Sequence, residues 1–507
     1  MKIKITDILL MLLSGVLTAL AFPKFSLSFL CWIALIPFFF VISRKTPKQS
    51  FVLGLIAGFA YYAVLLYWIP DVPAHYGDLS IGFSILIFFV FMLYLSLFWA
   101  FFALVFTKIR RLFPKAAFFL APVLWVAFEY ILTHLLTGFP WGLLGYAQYQ
   151  NLYFIQLTSL TGVYGLSFAI VLLQSLFVLS MLSRKKFFFL AGLALVFAVH
   201  LGGFLSLKPA LSPRENTFQA SVIQGNVSSD IYWDKITAEE IQRLFQRHLD
   251  LTNQAHSEGA RLIIWPEFSV PLCFSCSYSI YPDFKERLFH LVEQTGSTLL
   301  LGTNETKRTM EANEYYNTAL CLSPDLTYTE YYKMHLVPFG EYTPYKNIFS
   351  FINTMTHAIG DISPGKAHVL HEFDGIKFGS PICYEIIFPD LVRKFVWNGA
   401  NFLTTITNDG WYGMSSAPYQ HFAIAVLRAV ENRRFLLRAA TTGVSGIIDP
   451  YGRVLAKSEM ETLTTLTEQI TPLSRRTLYT VIGDAFAYIC LTLSGLFLIL
   501  VLVVRKK

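Results

Sequence analysis

Apolar runs dominate the early part of the chain and return once at its end. Runs close to the ~20 residues needed to cross a bilayer lie at 8–22, 26–42, 51–69, 81–107, 116–134, 158–182, 187–206 and 484–504. The pattern predicts eight transmembrane helices. The first run is short, follows Lys2 and Lys4 and ends at Pro23, features it shares with a signal peptide. A retained helix fits better, because the loops between the later runs alternate in charge only if it is kept.

Between 207 and 482 the pattern changes. "FQASVIQGN" (218–226), "RLIIWPE" (261–267), "STLLLGTNE" (297–305), "YNTALCLS" (316–323), "KFGSPIC" (377–383) and "NFLTTITND" (401–409) read as strands. They are short, apolar or alternating, and bounded by Gly, Asn, Asp or Pro. Helical periodicity lies between them, at 237–256, 283–296, 387–398 and 418–435. Such alternation predicts a layered α/β domain. The expected division is a membrane domain with seven helices (1–206), a catalytic-sized α/β domain (207–482), and a last helix with its tail (483–507).

Composition agrees: 54% of residues are hydrophobic and 14% charged, against about 25% charged in soluble domains. The net charge of +7 raises nucleic acid as a partner, but the placement of the basic residues argues against it. Lys2, Lys4, Arg44, Lys45, Lys48, Lys108, Arg110, Arg111, Lys115, Arg184, Lys185, Lys186 and the closing Arg505–Lys507 flank alternate loops. The intervening short loops, such as 69–80, are nearly free of Lys and Arg, Lys24 being the exception. By the positive-inside rule both termini are cytoplasmic and 207–482 lies outside the cytoplasm. A transporter would show charged or broken helices in corresponding halves of the membrane part, and this sequence shows none.

Several strands end on reactive or polar residues: Glu267, Cys383, Asn408 and Asp409, with Lys333 just past another β-like run. In α/β sheets, sites gather at the carboxyl ends of strands. A thiol needs a base or a positive neighbour to become a nucleophile, and acyl chemistry needs positive charge where the oxyanion develops. Each residue alone also fits a plainer role: Glu267 a strand end in water, Lys333 a snorkelling surface lysine, Glu341 a turn acid, Cys383 a buried structural thiol. Of the six cysteines, Cys31 and Cys490 fall in apolar runs and read as packing residues. Cys273 and Cys276 form a lone C-x-x-C without the second pair of a zinc site, and the spacing leaves disulfide and free thiols both open. Glu129 is the one acid inside an apolar run apart from Asp484 at an edge. Intramembrane acids are functional candidates, although its place near a helix end also suits a headgroup contact.

The set "IIWPE", "YYKMHLVPFGEYTP", "ICYEIIFP", "TNDGWYG" and "RAVENRRFLLRAATTG" resembles the carbon–nitrogen hydrolase, or nitrilase, superfamily. That resemblance implies an αββα sandwich with a Glu–Lys–Cys triad. With apolar runs on both sides and "TGFPWGLLGYAQ" (137–148) in a non-cytoplasmic loop, the whole chain is similar to the membrane-embedded branch that acylates lipoproteins. Carried over by motif, Glu267 is the general base, Lys333 the oxyanion stabiliser and Cys383 the nucleophile. Glu341, Tyr384 and Glu385 match supporting positions, Trp233 an aromatic near the cleft, and Gly145 a substrate-side turn. Ala440 and Thr441 depart from the Thr and Asn common in the superfamily.

The same resemblance implies a phospholipid acyl donor such as phosphatidylethanolamine, a diacylated apolipoprotein as acceptor, and neither metal nor cofactor. It implies a monomer in the bacterial inner membrane with its catalytic domain periplasmic. The segments 269–282 and 345–360 are expected to act as lipid-facing lids. The competing readings are a membrane-anchored amidase acting on a small amide, and a domain that only binds lipoproteins.

Overall fold

The structure is a computed structural model that describes residues 2–77, 79–207, 217–227, 236–269, 273–276, 283–308, 313–344 and 362–504. Trp233, the 345–360 lid and most of the 269–282 lid lie outside the described residues. The chain divides into two compact units, 1–70 with 80–207 and 481–507, and 71–79 with 208–480. The segment 71–79 lies between apolar helices in sequence yet belongs to the second unit.

The first unit is helical. Among the described residues, six helices are long and apolar enough to cross a membrane: Pro47–Leu65, Ile81–Leu112, Ala116–His134, Val163–Ser183, Phe187–Ser206 and one opening at Ala485. The first two apolar runs give shorter elements. One is the helix Ile5–Leu20, with Pro23 just beyond it. The other breaks into a 3₁₀ turn, Ser28–Trp32, and a helix, Ile36–Ile42. Pro37 explains the break, because a proline has no N–H to give and its ring clashes with the preceding turn, so it starts a helix rather than continuing one. Small residues bring the helices close: a Cβ on Gly54 would fall 2.6 Å from the Trp99 carbonyl oxygen.

Among the described residues, the second unit has twelve strands in two six-stranded sheets. In chain order they are β1 (Phe218–Gln224), β2 (Leu262–Ile264), β3 (Thr298–Arg308), β4 (Asn313–Leu322), β5 (Tyr328–Tyr332) and β6 (His371–Phe373). Then come β7 (Ile376–Gly379), β8 (Phe402–Thr407), β9 (Leu436–Ala440), β10 (Gly446–Ile448), β11 (Val454–Lys457) and β12 (Thr464–Ile470). The orders are β12-β1-β2-β3-β4-β5 and β11-β10-β9-β8-β7-β6. The inner pairs β1/β2, β2/β3, β7/β8 and β8/β9 are parallel, as helix crossovers require.

The helix Ala238–Ser257 opens on a Thr237–Glu240 capping box. Together with the helix Phe284–Thr295 it buries Phe245, Phe284, Leu288 and Val292 against Trp265, Leu299 and Leu301 of the first sheet. The helices Pro389–Trp397 and Ala417–Asn432 flank the second sheet, and Phe395 sits directly over Gly379. Between the sheets, Phe218 of β1 meets Phe402 of β8 with ring centroids 5.6 Å apart, and Gln224 accepts from Ser445 and Ser458. The layers are therefore αββα, with the carboxyl ends of β2, β5, β7 and β8 carrying the residues of interest.

Candidate active site

Glu267 stands three residues past β2, after Pro266, and Phe268 turns with φ 49°. The neighbouring β3 holds this turn tightly: a Cβ on Gly302 would lie 2.5 Å from Glu267 Cα and from the Pro266 oxygen. Only glycine fits there. Lys333 follows β5, its N–H donating to the Asn317 carbonyl at 2.9 Å. Cys383 follows β7 through Ser380, Pro381 and Ile382, and opens a 3₁₀ turn, Cys383–Ile387, with φ 51°. A non-glycine residue in that region is strained by about 1–3 kcal/mol and persists only where its surroundings hold it.

The charged groups converge. Lys333 Nζ donates to Glu341 Oε1 at 2.8 Å and lies 3.4 Å from Glu267 Oε1. Asn317 Nδ2 bridges the two carboxylates, at 2.8 Å from Glu267 Oε1 and 3.1 Å from Glu341 Oε1. The Asn408 N–H holds Glu267 Oε2 at 2.7 Å, and the Val337 N–H holds Glu341 Oε2 at 2.7 Å. All three side chains are buried. Burial alone would drive the Lys333 ammonium to neutrality, but the charges of Glu341 and Glu267 outweigh it and hold the pKa above the usual lysine range. Burial, reinforced by the charge of Glu267 and opposed by Lys333, pushes the Cys383 thiol up. A buried thiol raised in this way needs a base before it can act as a nucleophile.

Glu385 ties the lysine and cysteine segments together. Its Oε1 accepts from the N–H groups of Met334 and His335, at 2.7 and 3.0 Å, and its Oε2 from the Ile382 N–H at 2.7 Å. The Tyr331 hydroxyl donates to the same carboxylate at 2.8 Å. Burial raises this carboxyl to about 6 against the pull of those N–H groups. Tyr384 is buried beside Phe388, on which the His335 ring stacks at 3.7 Å.

Other residues singled out in the sequence lie elsewhere. Gly145 belongs to the membrane unit, where its N–H donates to Ser167 and a Cβ would meet Val163 at 2.8 Å. Glu129, in the same unit, accepts from Trp125 Nε1 at 3.0 Å and the Leu144 N–H at 2.8 Å, tying the turns at 140–148 to its own helix. Cys273 and Cys276 form a disulfide. Sequence reasoning missed Asn317, read only as part of a strand, and Tyr76. The Tyr76 hydroxyl donates to the Gly410 carbonyl at 3.2 Å, and its ring meets Trp411.

The geometry suits acyl transfer through a cysteine, and comparison with known proteins agrees on the class. Residues 14–176 match the family model described as the apolipoprotein N-acyltransferase N-terminal domain, and residues 219–478 match the carbon-nitrogen hydrolase model. A curated apolipoprotein N-acyltransferase from Geobacter metallireducens is 36% identical, covering 99% of this chain and 96% of its own. The chain belongs to the apolipoprotein N-acyltransferase family. Members from Wigglesworthia glossinidia brevipalpis and Rickettsia prowazekii are each 31% identical, over 89% and 90% of this chain and 89% of theirs. A solved amidase from Nesterenkonia sp. is 19% identical, with a TM-score of 0.40, covering 55% of this chain and 98% of that one. The two family models and the curated relatives make the protein a membrane acyltransferase of this family with a carbon-nitrogen hydrolase domain.

Proposed function

We propose that the protein moves the sn-1 acyl chain of a phospholipid, such as phosphatidylethanolamine, onto the N-terminal amine of a diacylglyceryl-cysteine apolipoprotein. Cys383 carries the chain as a thioester between the two steps. The reading rests on one observation: buried Glu267, Lys333 and Glu341 share a hydrogen-bonded cluster, and Glu385 ties the Lys333 segment to the turn that presents Cys383.

In the first half, Glu267 takes the thiol proton and the Cys383 sulfur attacks the ester carbonyl carbon. The tetrahedral oxyanion is stabilised by the Lys333 ammonium and by backbone N–H groups at the Cys383 turn. The C–O bond then breaks, Glu267 returns the proton to the leaving alkoxide, and a lysophospholipid departs. In the second half, the acceptor amine attacks the thioester, Glu267 removes a proton from it, and as the C–S bond breaks Glu267 passes that proton to the leaving sulfur, giving an amide, the free thiol and the carboxylate ready for the next cycle. A thioester stores the acyl group and still yields readily to an amine, so the kinetics are ping-pong.

Lys333 has a partner in each state of the cycle. Glu341 keeps it anchored by 2.8 Å while it remains 3.4 Å from Glu267, so the ammonium need not collapse onto the base. The loop-charge pattern supports a catalytic unit outside the cytoplasm, with both termini inside. The monomeric state and the absence of any metal or cofactor belong to the same proposal. The test is a chase: enzyme loaded with acyl-labelled phospholipid and freed of donor should pass its label to an added diacylated lipopeptide. Label released only as free fatty acid would support the amidase-like reading instead.

A further inference from the structure

We propose that His421 is a positioning residue for acyl transfer: its Nε2–H clamps the Cys383 carbonyl and so holds the left-handed backbone on which the nucleophile stands. The proposal rests on Cys383 being the nucleophile and adds a second brace to it. Glu385 secures the residue before the elbow through the Ile382 N–H. Behind the elbow, His421 Nε2 lies 3.2 Å from the Cys383 carbonyl oxygen. A carbonyl only accepts, so this nitrogen carries the hydrogen.

The other ring nitrogen faces two neighbours. Nδ1 lies 2.9 Å from Asp409 Oδ1 and 3.0 Å from Arg438 Nη2. The guanidinium only donates. It donates to Asp409 Oδ2 at 2.6 Å and lies against Nδ1, while Asp409 Oδ1 also accepts the Thr407 hydroxyl at 3.0 Å. Nε2 keeps its hydrogen, and the clamp with it, whether Nδ1 is bare toward Arg438 or protonated toward Asp409. Burial and the Arg438 charge hold the ring's pKa below the usual histidine range, against the opposing pull of Asp409. His421 and Arg438 are fully buried and Asp409 nearly so, so water does not compete for these contacts.

Two consequences follow for the reaction. The Cys383 carbonyl and the Tyr384 N–H belong to one rigid peptide plane and point in opposite directions. A clamp on the first fixes the direction of the second, at the turn where the oxyanion forms. Asp409 also adjoins Asn408, whose N–H holds the base Glu267. The end of β8 thus braces base and nucleophile together.

The experiment compares His421→Gln, which keeps a donor able to reach the carbonyl, with His421→Met, similar in bulk and without one. Full-length variants in phospholipid vesicles are read by single-turnover acylation from labelled phospholipid, donor KM and thermal midpoint. His421→Met should acylate about 50-fold more slowly at a KM within about 2-fold of native, the loss expected of a misplaced reacting group. His421→Gln should stay within about 5-fold of native. Equal rates for the two variants, or a His421→Met rate within about 3-fold of native, would overturn the clamp. Should His421→Met not accumulate, His421→Gln decides alone: near-native acylation upholds the clamp, and a loss of about 50-fold in folded protein overturns it. Label persisting on Cys383→Ala protein would instead sink the underlying nucleophile assignment, whatever the His421 variants do.

Discussion

Replacing Glu385 with Gln isolates the carboxylate that joins the lysine and cysteine segments. In the native protein four donors meet its two oxygens, three from backbone and one from Tyr331. A glutamine that keeps its oxygen toward Met334 and His335 turns an N–H₂ group toward the Ile382 N–H, so one buried donor loses its acceptor. Losing a hydrogen bond to a charged group costs about 1.5–3 kcal/mol, and the remaining bonds fall to roughly half strength once the charge is gone. Relief from burying a charge offsets part of this, leaving a net cost of about 3 kcal/mol. For a domain of this size that corresponds to a fall in thermal midpoint of roughly 6–12 °C. Because Ile382 precedes the proposed nucleophile, acylation should slow about 100-fold, while Tyr331→Phe, which removes one donor and leaves the other three, should cost only about 1.5 kcal/mol. Differential scanning fluorimetry and single-turnover acylation measure the two effects. A Glu385→Gln midpoint within about 2 °C of native, with acylation within about 3-fold, would refute the bridging role.

Gly302→Ala should push the Glu267 turn away from β3, costing about 1–3 kcal/mol and slowing acylation more than it changes donor KM. Unchanged single-turnover rates would contradict the packing argument. Asn317→Ala removes the donor shared by Glu267 and Glu341 and should lower kcat about 30-fold; a change below about 3-fold would show that the bridge is dispensable. Buried His248 and His371 have pKa values lowered by burial to about 4 and about 3. Their folded values lie below the unfolded one, so stability is present above pH 6.5 and is lost as pH falls toward those values. Each costs about 2 kcal/mol between pH 6.5 and 5. His371→Gln should shallow the pH dependence of the unfolding midpoint over that window, and an unaltered slope would contradict it.

The strand–helix alternation was legible where strands are short, apolar and followed by Pro, Gly or Asn, as at β1, β2, β7 and β8, whereas the polar or exposed β11 and β12 carry no such signal. "RLIIWPE" announced both β2 and Glu267, and "KFGSPIC" announced β7 and Cys383. Strand ends misled by a few residues, since β2 stops at Ile264 and β7 at Gly379, leaving the functional residues on turns. Positive φ at Phe268 and Cys383 has no signature in sequence, because neither residue type favours it. The run 26–42 read as one span because hydropathy averages over Pro37, whereas the backbone cannot. Asn317 was hidden by its strand, where the polar residue marks the face turned to the carboxylates. His421 and Arg438 fell within quoted or helical stretches, but a contact spanning 38 residues to Cys383 depends on the packing of the Ala417–Asn432 helix under the elbow and is invisible to local pattern.

The account stands most directly on where the acyl chain rests between donor and acceptor. Full-length protein incubated with acyl-labelled phospholipid, without acceptor, should acquire a hydroxylamine-labile label at Cys383. Cys383→Ala should acquire none. A label of the same lability and yield on Cys383→Ala, or none on the native protein while acceptor is still acylated, would contradict the thioester at Cys383.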